Sequence, residues 1–272
     1  MAPLQVFVDG VGVYGPGLNG WSQSKNVLNG SDVYLPGPLQ LPQIDSLPSA
    51  ERRRLGLVIK LALASAADAT RAGHWPPSQL TSVFASSTGD GDNCHQMLEG
   101  LASAQRAISP TRFHNSVHNA PAGYWSIASG SQCPSTSLSA HDATFAAGLL
   151  EAVSQVCCQQ QPCLLVAYDA PYPQPLHAAR PVAAAFGVAL LLAPARGAGS
   201  LAALTLHHQQ VLPAATGQDL FADATLESLQ WQAPAARALP LLAALARTGQ
   251  AAAKSVLIDF LPGQQLCIGV GA

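Results

Sequence analysis

Runs of apolar residues, separated by segments with helical periodicity, define the pattern of this chain. Residues 4–8 alternate in polarity and predict an opening strand, and the Gly- and Pro-rich residues 10–20 predict a loop. Residues 49–72 carry apolar positions at helical spacing and predict one amphipathic helix that ends near Gly73. The other predicted elements are strands at 82–85, 163–167, 188–193 and 201–206, helices at 93–107, 143–156 and 235–247, a hairpin joining 188–193 to 201–206, a long connection within 213–234, and a closing hairpin of 255–260 with 265–270.

Predicted strands alternate with predicted helices, and this order decides the fold class. It indicates an α/β fold in which helices cover the faces of a mixed or largely parallel sheet. The chain has 272 residues, which is enough for one large domain or for two small ones.

The composition points to extensive burial. Apolar residues make up 49% of the chain and charged residues 10%, and the mean hydropathy is +0.21. Much of the chain must therefore lie in a core or against another protein, and we expect an obligate interface. The net charge of −2 and the lack of a basic patch argue against nucleic acid as a partner.

Neither a membrane span nor a disulfide framework is expected. The first residues show no cationic region ahead of an apolar segment, and the most apolar run, 182–195, is shorter than the roughly 20 residues that span a bilayer. The six cysteines form no CxxC pair, so reduced thiols are expected. These features together predict a soluble, cytoplasmic protein.

Arginines 52–54 lie in the first turn of the helix predicted at 49–72. This is the end of a helix at which its dipole disfavours positive charge. Either the turn is a solvated basic surface, or something outside the helix uses these side chains.

Two motifs suggest ligand sites at first inspection. Gly10, Gly12 and Gly15 match GxGxxG, but no helix is predicted to follow, so the pattern favours a plain turn over a dinucleotide site. His114 and His118 have the spacing of zinc ligands on one helix face, but no third ligand is near in sequence. No cofactor or metal is predicted.

The remaining candidate groups carry equally weak signals. The dyad of His141 and Asp142 is also found in metal phosphohydrolases, but their other ligands are missing here, and His207 with His208 is typical of a strand that alternates between surface and core. Cys94 follows a glycine-rich turn at a possible helix start, where the dipole would activate a thiol. No histidine is placed beside it, so an inert thiol is favoured.

A longer segment carries a more specific signal. Residues 109–152 read SPTRFHNSVHNAPAGYWSIASGSQCPSTSLSAHDATFAAGLLEA. This segment resembles the β-ketoacyl synthase family, in which N-x-x-A-G is followed by a helix, a Gly-Pro, a strand and a turn that bears the acylated cysteine. Asn119, Ala122 and Gly123 match the first element, Pro134 matches the second, and 135–140 is the strand.

The same register shows where the resemblance fails. His141 and Asp142 stand where the family has alanine and the nucleophilic cysteine. Because a carboxylate is a much poorer nucleophile toward a thioester than a thiolate, acyl transfer through Asp142 is not expected. After Ala193 the chain also has neither of the two motifs that carry the family's catalytic histidines.

The resemblance implies a truncated thiolase-like fold in a single domain. Residues 1–206 correspond to the ketosynthase N-terminal core, and 207–272 correspond to a shortened closing segment. The first strand and loop, VFVDGVGVYGPG, and the segment VFASSTGDGD at 83–92 also resemble the family. Within the family, the chain is most similar to short chain-length-factor-like subunits of aryl polyene type II polyketide systems.

This similarity implies partners and an interface. The partners would be a catalytic ketosynthase, in a heterodimer, and an acyl carrier protein with its acyl chain. Arg112, Phe113 and Ser116 would approach the tunnel of the ketosynthase. The strand before the nucleophile position would pair across the two-fold axis, through Ser135, Thr136, Ser137, Leu138, Ser139 and Ala140.

Two other functions are open at this point. Asp142 and His141 could act as an acid–base pair that decarboxylates or hydrolyses an acyl thioester. The chain could also be a stand-alone module that binds an acyl chain or an acyl carrier protein.

Overall fold

The computed structural model describes residues 4–71, 73–210, 221, 223–248 and 254–272. Within these residues the strands are β1 Leu4–Gly15, β2 Leu18–Asn19, β3 Thr81–Ala85, β4 Ser135–Leu138, β5 Cys163–Asp169, β6 Phe186–Ala193, β7 Ala202–Gln210, β8 Lys254–Asp259 and β9 Gln264–Gly271. The helices are α1 Trp21–Asn29, α2 Ser49–Arg52, α3 Leu57–Arg71, α4 Gly91–Ala102, α5 Pro110–His114, α6 Ala120–Ser129, α7 Thr144–Gln159, α8 Leu176–Ala179, α9 Ala224–Leu229 and α10 Leu239–Ala246. Short 3-10 turns lie at Pro77–Gln79, His141–Ala143 and Pro234–Ala238.

The strands form one mixed sheet with the order β4-β3-β5-β6-β1-β7-β9-β8, and β2 pairs with β1. Strands β4, β3 and β5 are parallel to one another, whereas the other neighbours are antiparallel. Helices α1, α7 and α10 pack on one face, and α3 and α6 on the other. Strands β5 and β6 are buried on both faces, which is why their sequences are continuous apolar runs. The α/β prediction is confirmed.

The loop predicted at 10–20 is wrong in its first half, because β1 continues to Gly15. A Cβ at Gly10 would collide with the carbonyl of Ala69, and one at Gly12 with the carbonyl of Ser65. The glycines therefore allow helix α3 to pack closely against the strand. The spacing that resembles a dinucleotide motif is a helix–strand contact.

The single helix predicted at 49–72 is also wrong. It is divided into α2 and α3, and the break at 53–56 contains buried Leu55 and Gly56. A Cβ at Gly56 would lie 2.9 Å from the Asp90 carboxylate, so glycine at the break lets the start of α4 approach. Residue 72 lies outside the described residues.

The hairpin predicted between 188–193 and 201–206 does not form. Strand β1 lies between β6 and β7 and pairs antiparallel with both. Strand β1 is long enough to pair with both, because Phe7–Tyr14 pairs with β6 and Leu4–Val8 pairs with β7. The segment that joins β6 to β7 therefore passes across β1, and the Leu201 amide at its end donates to the Val8 carbonyl of β1 at 2.7 Å.

The other predicted elements form with shifted bounds. The helix predicted at 93–107 is α4, which begins earlier because the Asp90 side chain accepts from the Asn93 amide at 3.0 Å, and it ends at Ala102. The helix at 235–247 is a 3-10 turn followed by α10, and the closing hairpin is confirmed as β8 and β9. Part of the predicted connection, 213–220 and 222, lies outside the described residues, and α9 occupies part of the rest. The predicted boundary at residue 206 falls within β7.

None of the helices in the described part of the chain is long and apolar enough to cross a membrane.

Candidate functional site

Three parallel strands end at the same edge of the sheet, and polar residues follow each of them. Ser86, Ser87 and Thr88 follow β3, the 3-10 turn His141–Ala143 follows β4, and Asp169 ends β5. Carboxyl ends of parallel strands are where α/β folds place their ligand sites. We call this group, with Arg180 and His118, the carboxyl-end cluster.

Asp169 anchors the cluster from inside the fold. Its Oδ1 accepts from the amides of Ser87 at 2.8 Å and Thr88 at 2.9 Å, and its Oδ2 accepts from the Ala235 amide at 2.8 Å. The hydroxyls of Ser86 and Thr88 also donate to Oδ1. Burial raises the pKa of Asp169 to about 6, although these hydrogen bonds act in the opposite direction. The side chain joins the end of β5 to two loops.

Asp142 stands at the position that the resemblance assigns to the nucleophile. Its Oδ1 accepts from Nη2 of Arg180 at 3.0 Å, and the same nitrogen donates to Oγ of Ser87 at 2.7 Å. Nδ1 of His141 lies 3.5 Å from Oδ2 of Asp142. The Asp142 side chain is 57% exposed. A carboxylate in this setting is solvated and ion-paired.

The turn that carries Asp142 has a distinctive backbone. His141 has a φ of 53°, in the left-handed region that few residues other than glycine adopt. Buried Thr144 secures the turn, because its hydroxyl donates to the His141 carbonyl at 2.6 Å and accepts from the Ala140 amide at 3.0 Å. Helix α7 begins at Thr144. Asp142 is therefore presented just ahead of a helix N-terminus.

His118 extends the cluster on its other side. Its Nε2 lies 3.0 Å from the Ser86 carbonyl, so the proton is on Nε2 in this contact. Helix α5 ends at His114, and His118 is therefore not on the same helix face as His114. In the described part of the chain no three His, Cys, Asp or Glu residues are grouped to hold a metal ion.

The other histidine and cysteine candidates lie outside the cluster. His207 and His208 are in β7, and Nε2 of His208 is 2.7 Å from Oε1 of Gln264 in the neighbouring strand. Burial and the nearby Asp90 raise the pKa of Cys94, which is the opposite of an activated thiol.

The strand predicted to form the interface, β4, is an edge of the sheet. In the described residues it pairs with β3 and presents its other side unpaired. Ser135 Oγ accepts from Ser82 Oγ at 2.9 Å, and Thr136 Oγ1 accepts from Gln155 of α7 at 3.1 Å. Ser137 and Leu138 complete the strand, whereas Ser139, exposed, and Ala140 lie beyond its end.

The predicted tunnel residues lie on or just after α5. Phe113 is 66% exposed, which is unusual for a large apolar side chain. Arg112 lines a groove of about 650 Å³. Ser116 donates to the Phe113 carbonyl at 2.8 Å, so its hydroxyl is used within its own turn.

The three matched motif residues have different surroundings. Asn119 immediately precedes α6, and Pro134 is exposed just before β4. Gly123 is exposed on α6, and a Cβ there would meet nothing within 4 Å. One turn later Ile127 is 55% exposed, so this face of α6 is not covered by the described part of the chain.

Sequence reasoning missed Arg180 and Asp169. Arg180 follows α8 in a proline-rich connection, and nothing in its neighbourhood marks it as a partner of Asp142. Asp169 does have a signal, because a carboxylate directly after a buried apolar strand must find hydrogen-bond donors. The sequence does not reveal which donors these are.

Comparison with known proteins gives one family and several related structures. The family model for the β-ketoacyl synthase N-terminal domain matches residues 21–248. A search of curated proteins gives no match. One similar structure, a ketosynthase in complex with its chain length factor from Xenorhabdus doucetiae, is 22% identical with a TM-score of 0.72 and covers 98% of this chain and 99% of that chain.

Two further structures show the same similarity. The ishigamide ketosynthase/chain length factor is 14% identical with a TM-score of 0.70, and the match covers 98% of this chain and 99% of that chain. A type II PKS acyl-carrier protein in complex with its ketosynthase bound to the hexaketide gives 13% identity and a TM-score of 0.78, with 99% of both chains covered. The resemblance found in the sequence is confirmed: the chain has the thiolase-like ketosynthase fold and belongs to the β-ketoacyl synthase N-terminal domain family.

Proposed function

We propose that this chain is a non-catalytic, chain-length-factor-like subunit that pairs with a catalytic ketosynthase and shapes its acyl tunnel. One observation carries the proposal: the carboxylate of Asp142, at the position that the sequence register assigns to the nucleophile, is ion-paired with Arg180. The proposed setting is a type II polyketide system of the aryl polyene kind.

The chemistry of the site supports a role without catalysis. Acyl transfer in this family needs a thiolate, and an acyl anhydride on Asp142 would hydrolyse because the side chain is open to water. The guanidinium of Arg180 also competes for the lone pairs that a nucleophile or a base would use. A site for covalent acyl transfer would instead keep water away from the reacting group.

The free edge of β4 supports pairing with another chain. An unpaired edge strand exposes backbone N–H and C=O groups and is normally covered or otherwise protected. Strand β4 is short, its outer side is unpaired in the described residues, and Ser135 is exposed. Addition of a partner strand would satisfy these groups, with side chains 135–140 at the contact.

Helix α5 supports the tunnel role. It has no buried residue, and it presents Phe113, with Arg112 beside it. A large apolar side chain that projects from the surface suits an apolar acyl chain or the wall of a tunnel better than water. The size of Phe113 would then limit the length of the chain that the ketosynthase extends on its acyl carrier protein.

The pair of His141 and Asp142 favours a second candidate, a thioester decarboxylase or hydrolase. The Nδ1–Oδ2 distance is 3.5 Å, and both side chains are accessible to a substrate. Activity of the isolated chain on a malonyl thioester, lost in Asp142→Ala, is the expected result for that candidate.

The proposal is tested by co-expression with a catalytic ketosynthase from the same organism. Size exclusion with mass detection should give a one-to-one complex that elongates carrier-bound acyl chains. Phe113→Ala should lengthen the products and Phe113→Trp should shorten them, because the side chain sets the available space. Ile127→Ala on α6 is the control. No complex, or identical products from all variants, contradicts the proposal.

A further inference from the structure

Three consecutive arginines differ in how the fold uses them. Arg52 pairs with Asp45 at 3.2 Å, and Arg54 pairs with Glu51 at 3.1 Å. Arg53, between them, is exposed and has no hydrogen-bond or ion-pair partner for its side chain among the described residues. The fold therefore accounts for two of the three charges.

Arg53 lies in the break between the two helices, directly after the last residue of α2 and four positions before the first residue of α3. It is the C-cap of α2, at the end of a helix where a cation is favourable. The fold therefore tolerates this charge without giving it an ion-pair partner among the described residues.

Arg53 lines a groove of about 650 Å³, which we call the arginine groove. Its walls are the α2–α3 break at 53–58, the start of α4, helix α5 and the segment 170–173. Arg112 lines the same groove from α5. Both arginines could therefore reach one bound group.

The acidic residues of the arginine groove are already in use. Asp90 accepts from the Asn93 amide at 3.0 Å, and Asp92 accepts from the Gln96 side chain at 2.6 Å. Arg112 acts on the charge of Asp90 from a distance, and its guanidinium donates no hydrogen bond to a described residue. Both carboxylates lie at the N-terminus of α4, where the helix dipole stabilises negative charge, and no ion pair among the described residues joins either of them to Arg53 or Arg112. Both guanidiniums are therefore open to a carboxylate from outside the chain.

Two buried amides hold the walls of the groove in place. Asn93 Nδ2 donates to the Arg112 carbonyl at 2.9 Å, and Asn115 Nδ2 donates to the Arg54 carbonyl at 2.9 Å. The hydroxyl of Tyr124 donates to Oδ1 of Asn115 at 3.1 Å. The backbone on both sides is thus fixed before any ligand arrives, which lowers the entropic cost of binding.

The surroundings of the groove favour a polypeptide over a small anion. Leu57, in the groove wall, is 47% exposed, and Leu98 and Leu101 on α4 are 61% and 44% exposed. Phe113 is exposed on α5, the helix that also carries Arg112. Exposed apolar side chains around a charged groove are typical of a protein interface.

We propose that the arginine groove receives a carboxylate-bearing segment of the ketosynthase subunit, with Arg53 and Arg112 pairing with its acidic side chain. This inference rests on the proposed function and extends the interface from β4 and α5 to the α2–α3 break.

The test uses the adjacent arginines as matched controls. The affinity of the co-expressed ketosynthase for the wild-type chain is compared with its affinity for Arg53→Gln, Arg53→Glu, Arg52→Gln and Arg54→Gln, at low and at high salt. We expect Arg53→Glu to weaken the complex about tenfold or more at low salt, mainly through slower association, and Arg53→Gln to weaken it less. Arg52→Gln, which does not line the groove, should stay within about twofold of wild type, because its charge is used inside the chain. Arg54 lines the groove but is paired with Glu51, so Arg54→Gln should weaken the complex less than Arg53→Gln.

The outcomes separate this inference from the proposed function. A wild-type complex with equal effects at all three arginines, or with no effect at Arg53, overturns the inference and leaves the proposed function intact. If Arg53→Glu weakens binding of the acyl carrier protein and not of the ketosynthase, the groove belongs to the carrier and the inference is wrong. Absence of any wild-type complex overturns both. Circular dichroism and thermal unfolding of each variant confirm that a lost complex is not a lost fold.

Discussion

The ion pair at the nucleophile position can be measured by replacing Asp142 with cysteine. Asp142→Cys places a thiol between the left-handed His141 and the start of α7, at the position that the resemblance assigns to the nucleophile. Cysteine is one atom shorter than aspartate, so its sulfur would lie about 1 Å farther than the 3.0 Å that now separates Oδ1 from Nη2 of Arg180. The guanidinium would then stabilise the thiolate.

The magnitude follows from Coulomb's law. At about 4 Å, and with an effective dielectric constant near that of water because the site is half exposed, the attraction is about 1 kcal/mol. The N-terminus of α7 adds about 0.3–1 kcal/mol. A stabilisation of about 1.4 kcal/mol raises the thiolate fraction near neutral pH about tenfold, and the lower nucleophilicity of a more acidic thiol takes back about threefold. The net gain is about threefold in rate.

The assay is alkylation by iodoacetamide at pH 7, followed peptide by peptide with mass spectrometry. Asp142→Cys should react about twofold faster than the same cysteine in the Asp142→Cys, Arg180→Gln double variant, because α7 acts on both cysteines and only the contribution of Arg180, about 1 kcal/mol, differs. Cys94 is an internal reference in both samples, because its pKa is raised by burial. Equal rates at position 142 with and without Arg180 would refute the assigned contact.

Three predictions concern stability, each measured by urea unfolding. Gly10→Ala should cost about 3 kcal/mol or more because a Cβ has no room beside α3, whereas Gly37→Ala, with nothing within 4 Å, should change stability by less than about 0.5 kcal/mol. The pKa of Asp169, about 6 in the fold against an ordinary 3.8, means that protonation stabilises the folded state. This contribution of up to about 3 kcal/mol is complete below about pH 4 and is lost as the pH rises through 6. The difference in unfolding free energy between wild type and Asp169→Asn should therefore fall across this pH range. A difference that does not change with pH would contradict the prediction. Asn115→Ala should cost about 1–3 kcal/mol because the buried Tyr124 hydroxyl and the Arg54 carbonyl both lose their hydrogen-bond partner, and exposed Asn119→Ala should cost little. Equal losses would count against the role of Asn115.

The elements predicted correctly are those that depend on local pattern or on the spacing of the family motifs. The apolar run of β5 and the closing hairpin formed as expected, and the family register of 109–152 put Asp142 at a turn ahead of a helix, as found.

The errors have a common physical cause, which is contact between distant segments. Gly10 and Gly12 look like a loop until α3 is packed against them, and the β6–β7 hairpin looks plausible until β1 is inserted between its strands. Arg180 pairs with a residue 38 positions away, and no local signal marks that pair. Such contacts depend on the assembled sheet.

The central claim is that this chain contributes to chain elongation without doing the chemistry. The most direct measurement is product formation by a reconstituted ketosynthase and acyl carrier protein with wild-type chain, with Asp142→Ala, and with the chain left out. The proposal predicts that omission abolishes elongation and that Asp142→Ala retains it. Loss of products in Asp142→Ala, from a complex that still assembles, would contradict the account and make Asp142 part of the chemistry.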